Sequence, residues 1–236
     1  MGELAAVYNF GTGEEVKQTR RSIKGEREKE PFKDLADIEK IIGYFRRNGE
    51  YRNMMMFVMG INLPLRGSDL RLLRWGDIFT ITGDWNDEFY SVAKKTGKVQ
   101  WLALNQNCKD VIEYYLRREH LTKEDLDMGG YLFTSRKKVY NEVTGKKESK
   151  PIERKRIGEI IENACENVGL DKSKYGSHSL RKTWGYTYYK TTGDILLVQK
   201  VLGHNSINDT LRYIGIQKDD ILGSYQVLDN AYGKLV

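Results

Sequence analysis

The stretch Leu202-Gly203-His204-Asn205-Ser206-Ile207-Asn208-Asp209-Thr210-Leu211-Arg212-Tyr213 decides the reading of this chain. Asp194 is placed to cap a helix that Gly203 ends, so His204 falls on the turn between two helices, where a side chain is free to face a ligand. Asn205 or Ser206 caps the next short helix and Gly215 ends it, which leaves Tyr213 in its last turn, beside a mobile joint. The chain has 15 tyrosines, and by composition any one of them is structural. Tyr213 stands out only through the residues that accompany it.

The nearest of these lie in Gly176-Ser177-His178-Ser179-Leu180-Arg181-Lys182-Thr183. With Ser177 as N-cap, His178 and Arg181 occupy the first turns of a helix, three apart and on one face. Free amides and the positive dipole end attract anions there, and a histidine and an arginine added to that position make a phosphate site. A capped helix with a surface cation is the plainer alternative. Further upstream, Gly60-Ile61-Asn62-Leu63-Pro64-Leu65-Arg66-Gly67-Ser68-Asp69-Leu70 precedes Leu73-Arg74-Trp75-Gly76-Asp77, with Arg66 just before a helix start. Between Ile78 and Leu104 the apolar period changes to two, in Ile78–Ile81, Phe89–Val92 and Val99–Leu102. That pattern predicts a small three-stranded antiparallel sheet, with Lys94-Lys95-Thr96-Gly97-Lys98 at the tip of its second hairpin, around a two-residue turn.

Taken together, His-x-x-Arg, Leu-Gly-His and a tyrosine nine positions after His204, with the Arg66 box upstream, resemble the signature of the tyrosine recombinases, the phage integrase family. The resemblance covers about residues 34 to 229. It implies a mainly α (α+β) catalytic domain and a site built from Arg66, Lys95, His178, Arg181, His204 and Tyr213. Lys-Thr-Gly favours Lys95 as the hairpin lysine that enters the site, with Lys98 as runner-up. The match departs at Leu63-Pro64, where relatives usually carry Thr-Gly, and at Asp69, where Glu is common. Most relatives also carry a separate helical domain before the catalytic one. The N-terminus here is short and charged, so the resemblance is to compact, nearly stand-alone members such as the fimbrial inversion recombinases.

By that analogy Tyr213 attacks a DNA phosphodiester and forms a 3′-phosphotyrosine. Arg66 and Arg181 supply forked donors to the phosphoryl oxygens. His178 is the acid/base, His204 a hydrogen-bond donor to the phosphate, and Lys95 the acid for the departing 5′ oxygen. Neither a metal nor another cofactor is implied. The partners implied are a double-stranded DNA site and a homo-tetramer on two such sites, monomeric without DNA, in a bacterial or phage-borne protein of the cytoplasm and nucleoid. Rival readings are a type IB topoisomerase, which relaxes DNA as a monomer, and a catalytically silent DNA-binding regulator.

Composition agrees with a soluble, helix-rich fold. Of 236 residues 39% are hydrophobic and 31% charged, with three prolines, and the net charge of +6 favours a polyanionic partner. Phosphate contacts are expected from Lys98, Arg136-Lys137-Lys138, Lys146-Lys147 and Arg154-Lys155-Arg156, although a solvated face is the plain reading of each run. The longest apolar stretch, near Met54 to Leu65, is too short for a membrane span. Cys108 and Cys165 have no metal-type spacing and read as free thiols in a reducing compartment. Residues 1–33 read as a charged arm or linker, 34–216 as the catalytic domain, and 217–236 as a C-terminal helix or tail, through Ile221, Leu222, Tyr225 and Leu228, exchanged between protomers or packed on its own chain.

Overall fold

Several helices start at polar caps, and the larger ones bury their apolar faces around one central helix. The computed structural model describes residues 28–93, 97–142 and 145–216. Asp34 caps α1 (Leu35–Arg47) by accepting from the Ala36 amide at 2.8 Å. The next helix, α2 (Tyr51–Asn62), is buried from Met54 through Gly60, and α1, α5 (Gln106–Arg118) and α7 (Ser177–Thr192) all pack on it. Three consecutive methionines suit this hub, because their flexible side chains fill the irregular gaps between several neighbours. α6 (Arg154–Asn167) adds Ile157, Ile160, Ile161 and Ala164 to the same core. Two short helices, α3 (Gly67–Leu70) and α4 (Trp75–Ile78), follow α2. Cys108 and Cys165 are free and buried in this core, where burial pushes both thiols up to about 12. No helix among the described residues is long and apolar enough to cross a membrane.

The sheet differs from the expectation of three strands. Two separate two-stranded antiparallel sheets form: β1 (Glu88–Val92) with β2 (Val99–Ala103), and β3 (Thr134–Asn141) with β4 (Lys146–Pro151). The expected first strand, Ile78–Ile81, is taken by other local bonds. Asp77 Oδ2 accepts from the Arg74 amide at 2.7 Å and commits Trp75–Ile78 to a helical turn. The Thr80 amide then closes a turn on the Asp84 carbonyl, so only Phe79 bridges, to Trp85. The second hairpin replaces the loop expected before Pro151. Its lysine-rich strands lack apolar alternation because most of their described side chains face solvent. A smaller correction concerns α7, whose N-cap is Gly176, with Ser177 its first helical residue.

Two segments flank Tyr213, one joined to the main core and one with a small core of its own. Residues 28–33, the end of the expected arm, are packed: Phe32 is buried, stacks on Tyr175 at 4.4 Å and donates its amide to Thr183 Oγ1 at 2.8 Å. The body therefore begins by residue 28, because an aromatic at position 32 gains more from burial than from solvent. At the other end, α8 (Ile195–Leu202) and α9 (Ile207–Tyr213) are held to α7 by a separate small core of Val198, Leu202 and Ile214. Gly185 permits this contact, since a Cβ there would stand 2.7 Å from Ile214 Cγ2.

Ala in place of Gly normally favours a helix by about 1 kcal/mol, but overpacking of a closed contact costs about 1–3 kcal/mol. Gly158→Ala, in open space on α6, is expected to raise the thermal unfolding midpoint. Gly185→Ala is expected to lower it, and calorimetry on the two variants checks the pair.

Candidate active site

Arg181 is 3% exposed and is the fixed point of the site. Its Nε donates to the Pro64 carbonyl at 2.8 Å and its Nη2 to the Leu202 carbonyl at 3.1 Å. One guanidinium thus joins the turn before α3 to the end of α8. Burial lowers the pKa of Arg181, while Tyr213 and Asp69 work the other way and Arg66 adds to the lowering. Arginine starts so high that it keeps its charge. Asp69 is itself buried, so a carboxylate at the departure position supports the arginine electrostatically. Arg181 and Tyr213 also act on each other electrostatically, the guanidinium opposing the rise in the phenol's pKa.

Arg66 is the N-cap of α3, with extended backbone, and lines one pocket together with Arg181, Lys98 and Gly203. Pro64, just before Arg66, presents a carbonyl that Arg181 and Gln100 share, the Gln100 Nε2 standing 3.3 Å away. Gln100 also reaches the Val201 carbonyl at 3.4 Å, which docks the β1–β2 hairpin against α8. Lys95 lies outside the described residues. Lys98 is exposed and lines the pocket. The Ala93 amide donates to the Lys98 carbonyl at 2.9 Å, so residues 94–97 separate this closing pair, a longer connection than the expected two-residue turn.

His204 follows Gly203, which takes the left-handed conformation (φ 65°) that ends α8 and turns the chain into the site. Its ring meets the Tyr213 ring edge to face at 4.9 Å. Ser206, one of the two expected caps, accepts from the Asp209 amide at 3.0 Å and starts α9, so that Tyr213 is its last residue. Burial raises the Tyr213 pKa, and Arg181 and Arg66 oppose that rise. Lys182, 4% exposed, lies over the phenol ring at 4.9 Å and pairs with Glu28 at 2.7 Å. His178 is exposed at the rim, and its pKa is lowered by partial loss of water, then by Arg154, Lys182, Arg181 and Arg66. Five of the six expected residues therefore converge: Arg66, His178, Arg181, His204 and Tyr213.

Comparison with known proteins gives this geometry its kinship. Residues 33–219 match the model of the phage integrase family. The chain belongs to that family. By family it is a tyrosine recombinase domain, of the class of enzymes that cleave and rejoin DNA. It is 31% identical over 198 residues to the "Probable integrase/recombinase YoeC" of Bacillus subtilis (strain 168), covering 84% of this chain and 96% of that one. The fold is similar to that of the XerH site-specific recombinase bound to palindromic difH substrate in a post-cleavage complex (TM-score 0.59, 19% identity, 86% of this chain and 54% of that one). It is also similar to that of the XerA recombinase (TM-score 0.60, 16% identity, 91% and 68%). The chain thus spans nearly all of one curated relative and about half of the XerH chain.

Within this integrase-family domain the basic runs fall in different places. Arg154 opens α6 and acts electrostatically on His178, at the rim of the site. Lys155 and Arg156 reach Glu159 at 3.8 and 2.9 Å. With Lys137 they line a second groove whose walls include none of the five converging residues. Lys138 is exposed on β3, which also carries Arg136, and Lys146 and Lys147 lie on β4. Sequence reading missed Lys182, Glu28, Thr210 and the carbonyls of Pro64 and Leu202. The carbonyls have no side-chain signature, and Lys182 was hidden as an ordinary helical lysine beside Arg181.

Both site histidines have pKa values below the ordinary 6.5. The unfolded chain therefore binds protons that the folded chain lacks over that interval, and stability rises with pH there. Acidification from neutral pH through the range below 6.5 is expected to lower the urea midpoint. His178→Gln with His204→Gln should flatten that dependence, as denaturation at several pH values will show.

Proposed function

We propose that this chain is the catalytic domain of a site-specific recombinase that cuts and rejoins DNA through Tyr213. The observation that carries this reading is the packing of Tyr213 against His204, ring edge to ring face, within electrostatic reach of a buried Arg181 and of Arg66. A phosphodiester entering this space meets two guanidinium groups suited to its equatorial oxygens, and the phenol is the nucleophile within their reach. Arginines at this position also favour the phenolate as it forms, against the burial that raises its pKa. His178, kept largely neutral near pH 7 by its surroundings, is suited to take the phenol proton. A lysine of the β1–β2 hairpin protonates the leaving 5′ oxygen, Lys95 by the motif and Lys98 as the alternative.

The product of the first step is a 3′-phosphotyrosine, formed as the P–O5′ bond breaks, and attack by a 5′ hydroxyl reverses it on the same or another strand. Retention of bond energy in the adduct removes any need for ATP. Assembly as a tetramer on two double-stranded sites follows the family, with residues 217–236, outside the described residues, as the exchanged segment. Arg154, Lys137, Lys138, Lys155 and Arg156 contribute phosphate contacts around the site. Docking of Tyr213 beside its own Arg181 favours cleavage of the site held by the same subunit. Rejoining between two DNA sites, rather than relaxation by a monomer, separates this reading from a topoisomerase.

A nicked substrate bearing the target site tests the assignment. Wild-type protein is expected to yield a protein-linked strand on a denaturing gel. Tyr213→Phe is expected to bind the same DNA with unchanged affinity and to yield no linked strand, and an adduct from that variant would reject Tyr213 as nucleophile.

A further inference from the structure

His204 is bonded to a residue that the proposed chemistry has not used. Thr210 is fully buried on α9, one turn before Tyr213. Its Oγ1 lies 2.9 Å from the Ser206 carbonyl and 3.2 Å from His204 Nδ1. A hydroxyl carries a single proton, and a carbonyl oxygen can only accept. Distance favours the Ser206 carbonyl for the threonine proton, 2.9 Å against 3.2 Å to the imidazole, although that carbonyl also takes the Thr210 amide at 3.2 Å. The remaining contact works only if the imidazole donates. Nδ1 must carry hydrogen, and in the neutral ring the other nitrogen, Nε2, is bare.

The backbone that carries the ring is held on both sides. The His204 amide donates to the Gln199 carbonyl at 3.1 Å, and Gln199 Nε2 returns a bond to the His204 carbonyl at 3.2 Å. We propose that Thr210 is a positioning residue for the cleavage chemistry: it locks His204 in the Nδ1–H tautomer, so His204 can donate to a DNA phosphate only after Nε2 has taken up a proton. This rests on the recombinase reading for its consequence, although the tautomer itself does not. Burial opposes that proton first, then Arg181 from α7 and Arg66 from the turn before α3, and Asp209 favours it. Glu28, Arg212 and Tyr213 line the adjoining pocket, with Lys182 paired to Glu28. An entering phosphate adds the negative charge that shifts the balance, so capture of the phosphate and protonation of His204 become one event.

The test uses the full chain. Long-range proton–nitrogen NMR of the DNA-free protein is expected to show neutral His204 as the Nδ1–H tautomer in wild type and in Thr210→Ser, and to show Nε2–H in Thr210→Val. An Nε2–H ring in wild type would overturn the proposal, whatever the protein does to DNA. Titration calorimetry with target DNA in two buffers of different ionisation heat, above pH 7, should then show proton uptake by wild type and much less by Thr210→Val. Equal uptake by the two would overturn the coupling. Adduct formation on the nicked substrate should fall at least about tenfold in Thr210→Val, as for other wrong-tautomer histidines, and recover in Thr210→Ser. Failure of wild type to form any adduct would instead reject the recombinase reading and leave the tautomer result standing.

Discussion

The site depends on a buried guanidinium that is bonded to the backbone before it meets a substrate. Arg181 uses Nε and Nη2 on the carbonyls of Pro64 and Leu202, which belong to segments more than a hundred residues apart in the chain. Burying a cation without such partners is costly, whereas charge-assisted bonds to carbonyls and a nearby Asp69 offset the loss of water. The same bonds fix the fork in direction, so the group that receives Tyr213 need not reorganise when charge develops on a phosphate. A lysine of similar charge has no planar fork and cannot hold both carbonyls in the same way.

Around this point the protein is built in two parts of unequal strength. The α1, α2, α5, α6 and α7 bundle carries Arg66, His178 and Arg181 on a large core. α8 and α9 bring His204 and Tyr213 on a small one, Val198, Leu202 and Ile214, closed through Gly185. Tyr213, the proposed nucleophile, therefore sits on a helix held by few buried apolar residues, where local opening is cheap. Its phenol is bracketed by Arg181 at the side chain and by Lys182 over the ring, and Lys182 in turn is tied to Glu28 at the beginning of the described chain. The tyrosine can thus be held firmly by charge while its helix is held lightly by packing.

Much of this was legible in the sequence because it is local. Asp34, Asp194 and Ser206 cap helices as short acceptors do, and Gly203 takes the left-handed turn that throws His204 into the site. The spacing of His178, Arg181, His204 and Tyr213 carries the proposed chemistry because each residue type suits one role around a phosphate. What the sequence hid is non-local or lacks side-chain identity. The Pro64 and Leu202 carbonyls are backbone groups. The lysine-rich β3–β4 hairpin has no apolar alternation to reveal its strands, and Phe79 looked like strand because Asp77 outcompeted the sheet only through a local bond to Arg74. Pro64, read as a departure, turned out to supply an acceptor.

The most direct test of this account is the rate of covalent adduct formation by Arg181→Lys on a nicked target, measured beside its affinity for the same DNA. Charge is conserved and the fork is lost, so the adduct rate is expected to fall by about a hundredfold or more, with DNA affinity close to wild type. An Arg181→Lys protein that forms the adduct at the wild-type rate would contradict the claim that a backbone-fixed guanidinium organises the site.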